Sequence, residues 1–179
     1  MKESAPESSL VIPTSWGNIR VWAREGRVVR CQVPLVHERP PHALRLQGRP
    51  RLSDQGVNRK VLQQAGRFVA DCLAGRAGVC PPLCDDARGS FTRRARMALR
   101  KIPLGVTIAY AELAQAAGAP GAARAAGTAC ATNPLPLFIP CHRVLATGGK
   151  LGGFSGGLAW KVALLEREKA VPVAVRRSS

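Results

Sequence analysis

Pro81-Pro82, followed closely by Asp85-Asp86, constrains what this chain can fold into more than any other feature. A proline donates no backbone hydrogen bond and restricts the residue before it, so a proline pair ends any helix or central strand that reaches it. The chain therefore divides at a linker, and 179 residues are length enough for a lobe on either side. The expected division is an N-terminal lobe with its linker over 1–89, a second lobe over 90–170 and a disordered tail over 171–179. Residues 1–9 are polar and expected to fray. From Leu10 to Val33 the pattern of Ile19, Val21, Val28, Val29 and Val33, broken at Trp16-Gly17-Asn18 and Glu25-Gly26, predicts short strands joined by turns. Pro34, Pro40, Pro41 and Pro50 among arginines predict an irregular loop to Ser53. Val61, Leu62, Ala65, Phe68, Val69 and Cys72 recur at three- and four-residue spacing, which predicts a helix from Asn58 to Leu73.

Beyond the linker the period is helical throughout. Ser90 reads as the N-cap of a helix running to about Lys101, with Gly105 as a stop. Tyr110 to Ala117 forms a short helix ended by Gly118, and Pro120 opens another that runs to about Ala131. Two short helices joined at Gly118-Ala119 make a helix-turn-helix candidate. The fold class that follows is α/β: a small antiparallel sheet and helix, then a mostly helical lobe.

Composition narrows the partners. A net charge of +16, from 27 Lys and Arg against 11 Asp and Glu, favours a polyanion through counterion release, with a merely soluble basic surface as the plainer reading. Arginines are spread from Arg39 to Arg100, so no short run marks where a nucleic acid lies. No apolar run approaches membrane-spanning length, and Met1-Lys2-Glu3-Ser4 lacks the apolar core of a signal peptide. An intracellular protein is expected, in the cytoplasm of a prokaryote or in a nucleus, with its six cysteines as free thiols. Only Cys80 and Cys84 approach metal-ligand spacing, so no metal or cofactor is assigned, while a structural zinc among Cys31, His37, His42, Cys72, Cys80 and Cys84 stays open.

The chemistry concentrates in Ile139-Pro140-Cys141-His142-Arg143-Val144, where a thiol is followed at once by a base and a cation. A thiol titrates near pH ~8.5, and such neighbours lower that value in activated cysteines. A buried Cys beside a solvated His-Arg pair is the other reading of the same string. In the helix after Gly157, Leu158, Val162, Leu164 and Leu165 mark the inward stripe, and Glu168 at i+4 from Leu164 points along it. A carboxylate there needs a partner: His142 is one candidate, Lys161 or a nearby Arg another. From Gly121 to Ala131 the only long side chain is Arg124, and small residues let a backbone approach a narrow groove closely; tight core packing with a solvated arginine is the alternative. Tyr110, the only tyrosine, stands at a helix start, Asn133 is held extended or turned by Pro134, and the glycines from Gly152 to Gly157 flank Phe154 and Ser155 in a loop expected to be mobile.

These blocks, with Ile102-Pro103-x-Gly105, Tyr110-x-Glu112-Leu113-Ala114, Ala123-Arg124-Ala125-x-Gly127 and Gly152-Gly153-Phe154-Ser155-Gly156-Gly157, resemble the O6-alkylguanine-DNA alkyltransferases from about Ser90 to Lys169. The resemblance implies direct-reversal DNA repair, in which an alkylated guanine is flipped from duplex DNA and its alkyl group passes irreversibly to Cys141, once per molecule. It implies a relay of Glu168, His142, a water and Cys141, with Asn133 holding the active turn. It places Arg124 in the space of the extruded nucleotide and Tyr110 on guanine N3. The remaining DNA- or base-facing positions it implies are Ala123, Ala125, Gly127, Arg143, Val144, Phe154, Ser155 and Gly156. By the same resemblance the first lobe is ribonuclease H-like, the second carries a winged-helix element in the minor groove, and the protein is a monomer. Two positions depart from the family. Ala109 replaces the usual Ser or Thr cap before the tyrosine, leaving Thr107 as the nearest hydroxyl. Phe154 replaces a frequent Tyr, so protonation of guanine O6 would fall to Ser155 or its backbone amide. A non-catalytic module of the alkyltransferase-like type is the alternative, against which Cys141 argues. A Cys141-His142 hydrolase is a third reading, although adjacent residues orient poorly as nucleophile and base.

Overall fold

A computed structural model describes residues 8–170 apart from 39, 41, 54, 55 and 88. The expected tail over 171–179 lies outside the described residues. Ser8 and Ser9, expected to fray, instead open the first strand. β1 (Ser8–Thr14), β2 (Gly17–Arg24) and β3 (Arg27–Gln32) form an antiparallel meander, and β4 (Arg51–Ser53) joins the free edge of β1 to give the order β3-β2-β1-β4. Side chains alternate across these strands, burying Leu10, Ile12, Ile19, Val21, Ala23, Val28 and Cys31 on one face. Glu25 and Gly26, at φ 51° and 71°, turn the second hairpin, as the twist of paired strands favours. β4 falls inside the segment predicted to be irregular; three residues directly after Pro50 carry too little pattern to read, and what fixes them is the unpaired edge of β1.

α1 (Arg59–Leu73) covers the apolar face of the sheet with Val61, Leu62, Ala65 and Val69. Asn58, buried just before it, accepts from the Gly26 N–H at 2.9 Å and donates to Ser8 Oγ at 3.0 Å, tying the helix start to both hairpins. The linker does not hang free. The Val28 N–H donates to Pro82 O at 2.9 Å and the Cys84 N–H to Val28 O at 2.8 Å, sealing it along β3.

α2 (Ser90–Leu99), α3 (Tyr110–Ala116), α4 (Ala123–Ala131) and α5 (Leu158–Arg167) follow, with β5 (Ile108–Ala109) lying parallel to β6 (Val144–Leu145). Gly89, not Ser90, occupies the cap of α2, and no side chain bonds there. α4 begins three residues after Pro120, because Gly121 at φ 86° and a turn closed by the Ala122 N–H on Ala119 O interrupt the helical path. The two lobes share one core: Trp16 meets Trp160 edge-on at 5.5 Å, and Phe68 stacks on Phe138 at 5.1 Å.

Arg96 is the fold's most exacting polar group, at 5% exposure inside α2. Its guanidinium donates to Asp85 Oδ1 at 2.5 Å, to Thr132 O at 2.5 Å and to Thr132 Oγ1 at 3.1 Å, so a cation caps the carbonyl end of α4 and binds the linker. Removing one partner of a buried pair leaves an uncompensated charge. Arg96→Ala is expected to lower stability by about 3–5 kcal/mol in chemical denaturation, and an unchanged midpoint would contradict the assignment.

Candidate active site

Pro140 delivers the chain into one 3-10 turn, Cys141–Arg143, whose first residue carries a buried thiol. Asn133 holds that turn from beneath: its Nδ2 donates to Ile139 O at 2.9 Å and to Cys141 Sγ at 3.3 Å, while its Oδ1 accepts from the Leu135 N–H at 3.0 Å. The sequence suggested only indirect support from Asn133; the side chain touches the sulfur itself. Burial pushes the Cys141 thiol up, and the Asn133 hydrogen bond with the Lys161 charge pulls against it. The net shift is upward, so the resting group is a protonated thiol that needs a base.

His142 supplies one. Its ring is buried, and Nε2 lies 2.9 Å from Glu168 Oε1. Burial lowers the imidazole pKa more than Glu168 raises it, which leaves the ring neutral near pH 7. Against an ionised Glu168 the Nε2 atom must carry the proton, so Nδ1 carries the lone pair, and among the described residues Nδ1 has no protein partner. Glu168 also accepts from Arg143, Nε to Oε2 at 2.8 Å and Nη2 to Oε1 at 2.9 Å, while Arg143 Nη1 donates to Ile102 O at 2.6 Å. Arg143, grouped above with DNA-facing residues, is instead spent inside the protein on the carboxylate. Burial alone would raise the Glu168 carboxyl, but hydrogen bonds from His142 and Arg143 and the Arg143 charge bring it down to about 2.

A cavity of about 290 Å³ lies over the thiol. Cys141 lines its inner end, Gly127 and Cys130 of α4 one wall, Tyr110 another, and Phe154 with Ser155 the third. The phenol oxygen of Tyr110 accepts from the Gly153 amide, and a Cβ at Gly152 would stand 3.0 Å from that oxygen. Phe154 meets the His142 ring edge-on at 6.4 Å. The glycine loop, expected to be mobile, is held at several points. Lys161, fully buried, donates to Val144 O at 2.6 Å, to Leu151 O and to Gly153 O at 3.4 Å, and the Val36 N–H donates to Gly156 O at 2.9 Å. Gly156 therefore faces the first lobe, where a Cβ would lie 2.4 Å from Val33 Cγ2, and the Val144 side chain is core in β6.

Arg124 and Ala125 are exposed on the first turn of α4, with Ala123 half-buried beside them. Ala109 makes no side-chain cap on α3; Glu112 Oε2 accepts from the Ala109 N–H at 2.6 Å, which is the other half of a capping box. Cys130 was absent from the sequence reading of the site, and Lys161 entered it only as an alternative partner for Glu168, whereas its hydrogen bonds go to backbone carbonyls. Lys161 shares the stripe of Leu164 and Glu168 at i+3 and i+7, a signal hidden by Leu158 and Leu165, since Leu158 is exposed and Trp160 is the side chain buried there. Among the described residues no group of three or more His, Cys, Asp or Glu could hold a metal ion, and no helix is long and apolar enough to cross a membrane.

Residues 90–170 match the family model described as 6-O-methylguanine DNA methyltransferase, DNA binding domain. A methylated-DNA–protein-cysteine methyltransferase of Mycobacterium bovis is 51% identical over 86 residues, 48% of this chain and 52% of the relative, and one of Salmonella typhimurium is 43% identical over 101 residues, 56% of this chain and 59% of the relative. These alignments span little more than half of either relative. The crystal structure of Mycobacterium tuberculosis OGT in complex with DNA is similar over 93% of this chain and 97% of that one, with a TM-score of 0.70 and 30% identity.

The low pKa of Glu168 makes its interactions pH-dependent with a definite sign. A carboxyl held at about 2, against an ordinary 4.5, stabilises the fold fully above pH 4.5 and progressively less as pH falls toward 2. Glu168→Gln is expected to lose about 2–3 kcal/mol at pH 7, and the gap from the parent should close as unfolding is measured at lower pH. A gap that stays constant from pH 7 to pH 2 would show that Glu168 is not ionised in the folded protein.

Proposed function

We propose that this chain, which belongs to the 6-O-methylguanine DNA methyltransferase family, repairs DNA by taking the alkyl group of an O6-alkylguanine onto Cys141. The observation that carries the reading is the Cys141 thiol at the inner end of a base-sized cavity, with the lone pair of a buried, neutral His142 directed by Glu168. The thiol proton passes through one water to His142 Nδ1, Sγ attacks the alkyl carbon in line, and the carbon–O6 bond breaks. Guanine leaves with its electron pair on O6, where Ser155 or a loop amide donates a hydrogen bond, and the base regains a proton from the His142 imidazolium through water. A thioether carries no leaving group that this relay can expel, so each molecule reacts once.

The substrate is duplex DNA carrying O6-alkylguanine, approached from the minor groove by the small-residue face of α4. α3 and α4 act as a helix-turn-helix reader in a winged-helix-type lobe over 90–170, and Arg124 occupies the stack that the flipped nucleotide leaves. The first lobe, ribonuclease H-like in outline, scaffolds the reaction centre. No cofactor enters the reaction, and the protein works as a monomer inside the cell, where DNA is.

The direct test is intact mass and peptide mapping after incubation with an O6-methylguanine duplex. One methyl on Cys141 and none on the other cysteines is expected; methyl groups spread over several cysteines would overturn the site, and tight lesion binding without mass gain would make the protein a non-catalytic binding module. Arg124→Ala should slow duplex repair far more than reaction with free O6-benzylguanine, because unstacking a base costs a few kcal/mol that the inserted side chain offsets. A variant that reacts with saturating duplex as fast as the parent would remove Arg124 from that role.

A further inference from the structure

The outer face of the sheet, opposite α1, carries five arginines. Outward positions on β2 hold Arg20, Trp22 and Arg24, those on β3 hold Arg27, Arg30 and Gln32, and β4 adds Arg51. The register sets them in rows: Arg51, Val11, Arg20 and Gln32 lie side by side, then Ser53, Ser9, Trp22 and Arg30, then Arg24 and Arg27. Arg20, Arg27, Arg30 and Arg51 are exposed, and none of the four strands contains an Asp or Glu. Arg24 directly opposes Arg27, a like-charge cross-strand pair that costs stability. Acids flank one end of the face: Glu25 in the turn between Arg24 and Arg27, and Asp86, which accepts from the Cys84 thiol near the same two arginines. A sheet selected only to fold would mix signs here.

We infer that this face is a second, sequence-independent binding surface for the phosphate backbone of duplex DNA, separate from α4. Neighbouring strands stand ~4.8 Å apart, so Arg51 and Arg20, with Val11 between them, spread cations across ~10 Å of an open surface rather than in one groove. Trp22 decides between duplex and single strand. It is half-buried, and the Arg30 guanidinium lies 5.2 Å from its ring centroid, so the indole props a cation upright instead of offering a free face for an unstacked base. Contacts to phosphate carry affinity and salt dependence without sequence preference.

The test compares the full-length parent with Arg20→Gln/Arg30→Gln/Arg51→Gln, titrating an undamaged duplex much longer than one binding site at several salt concentrations. Affinity near physiological salt should fall ~10-fold or more, and the slope of log K against log salt should become shallower by about two to three units, as expected for three lost phosphate contacts. Transfer from free O6-benzylguanine should stay at the parental rate, which shows an intact pocket. Unchanged affinity and slope would overturn the inference, and so would a loss confined to single-stranded DNA. A parent that binds duplex through this face yet accepts no alkyl group would overturn the repair reading and leave the surface standing.

Discussion

The buried carboxylate of Glu168 organises the reaction centre. An ionised group at that depth costs several kcal/mol unless it is paired and hydrogen-bonded, and the partners come from the turn after Pro140: His142 on one oxygen, Arg143 across both. Three consequences follow from that one demand. α5 is docked by its C-terminal end onto the turn that carries the thiol. The imidazole is held in a single tautomer. Arg143, reaching on to Ile102 O, locks the end of α2 to the same point. The orientation of the nucleophile's neighbours is thus set by where a carboxylate can be satisfied.

The first lobe reaches this centre through its backbone, which explains how a lobe of divergent sequence can still serve it. The Cys31 N–H of β3 donates to Pro134 O at 2.8 Å, next to the asparagine that touches the sulfur, and Val36 holds Gly156 on the opposite side of the cavity. Only glycine fits at that second contact. A Cβ at Gly157, where φ is 91°, would stand 2.2 Å from Val36 O. Main-chain contacts of this kind demand a strand and a turn in the right place, but few particular side chains.

That distinction accounts for what the sequence disclosed. α1 was legible because its apolar face repeats over fifteen residues, and Glu168 because Leu164 lies one turn before it on the same stripe. The thiol, imidazole and guanidinium were legible as a string, yet the fate of Arg143 was not, since an arginine reads by default as surface charge. Arg96 and Lys161 escaped for the same reason. Each is held by carbonyl groups outside its own helix: Thr132 O for Arg96, and Val144, Leu151 and Gly153 O for Lys161. These acceptors are left over where helices and strands end, and no local period encodes which cation will come to cap them.

The carbonyl-capped cations also shape the chemistry. Glu168 is offset by Arg143, and Arg96 by Asp85, so each pair contributes little net charge at a distance. Lys161 differs, for its hydrogen bonds go to the neutral carbonyls of Val144, Leu151 and Gly153, which satisfy its donors without cancelling its charge. A positive charge therefore persists beside the cavity, lowering the cost of a thiolate that burial makes expensive. In the proposed transfer the same fixed charge would favour negative charge arriving on guanine O6 as the bond to carbon breaks, and it would need no reorganisation at that moment because the loop carbonyls already hold it in place. Burying a lysine among carbonyls rather than carboxylates is what lets one side chain both fasten the glycine loop and polarise the pocket the loop encloses.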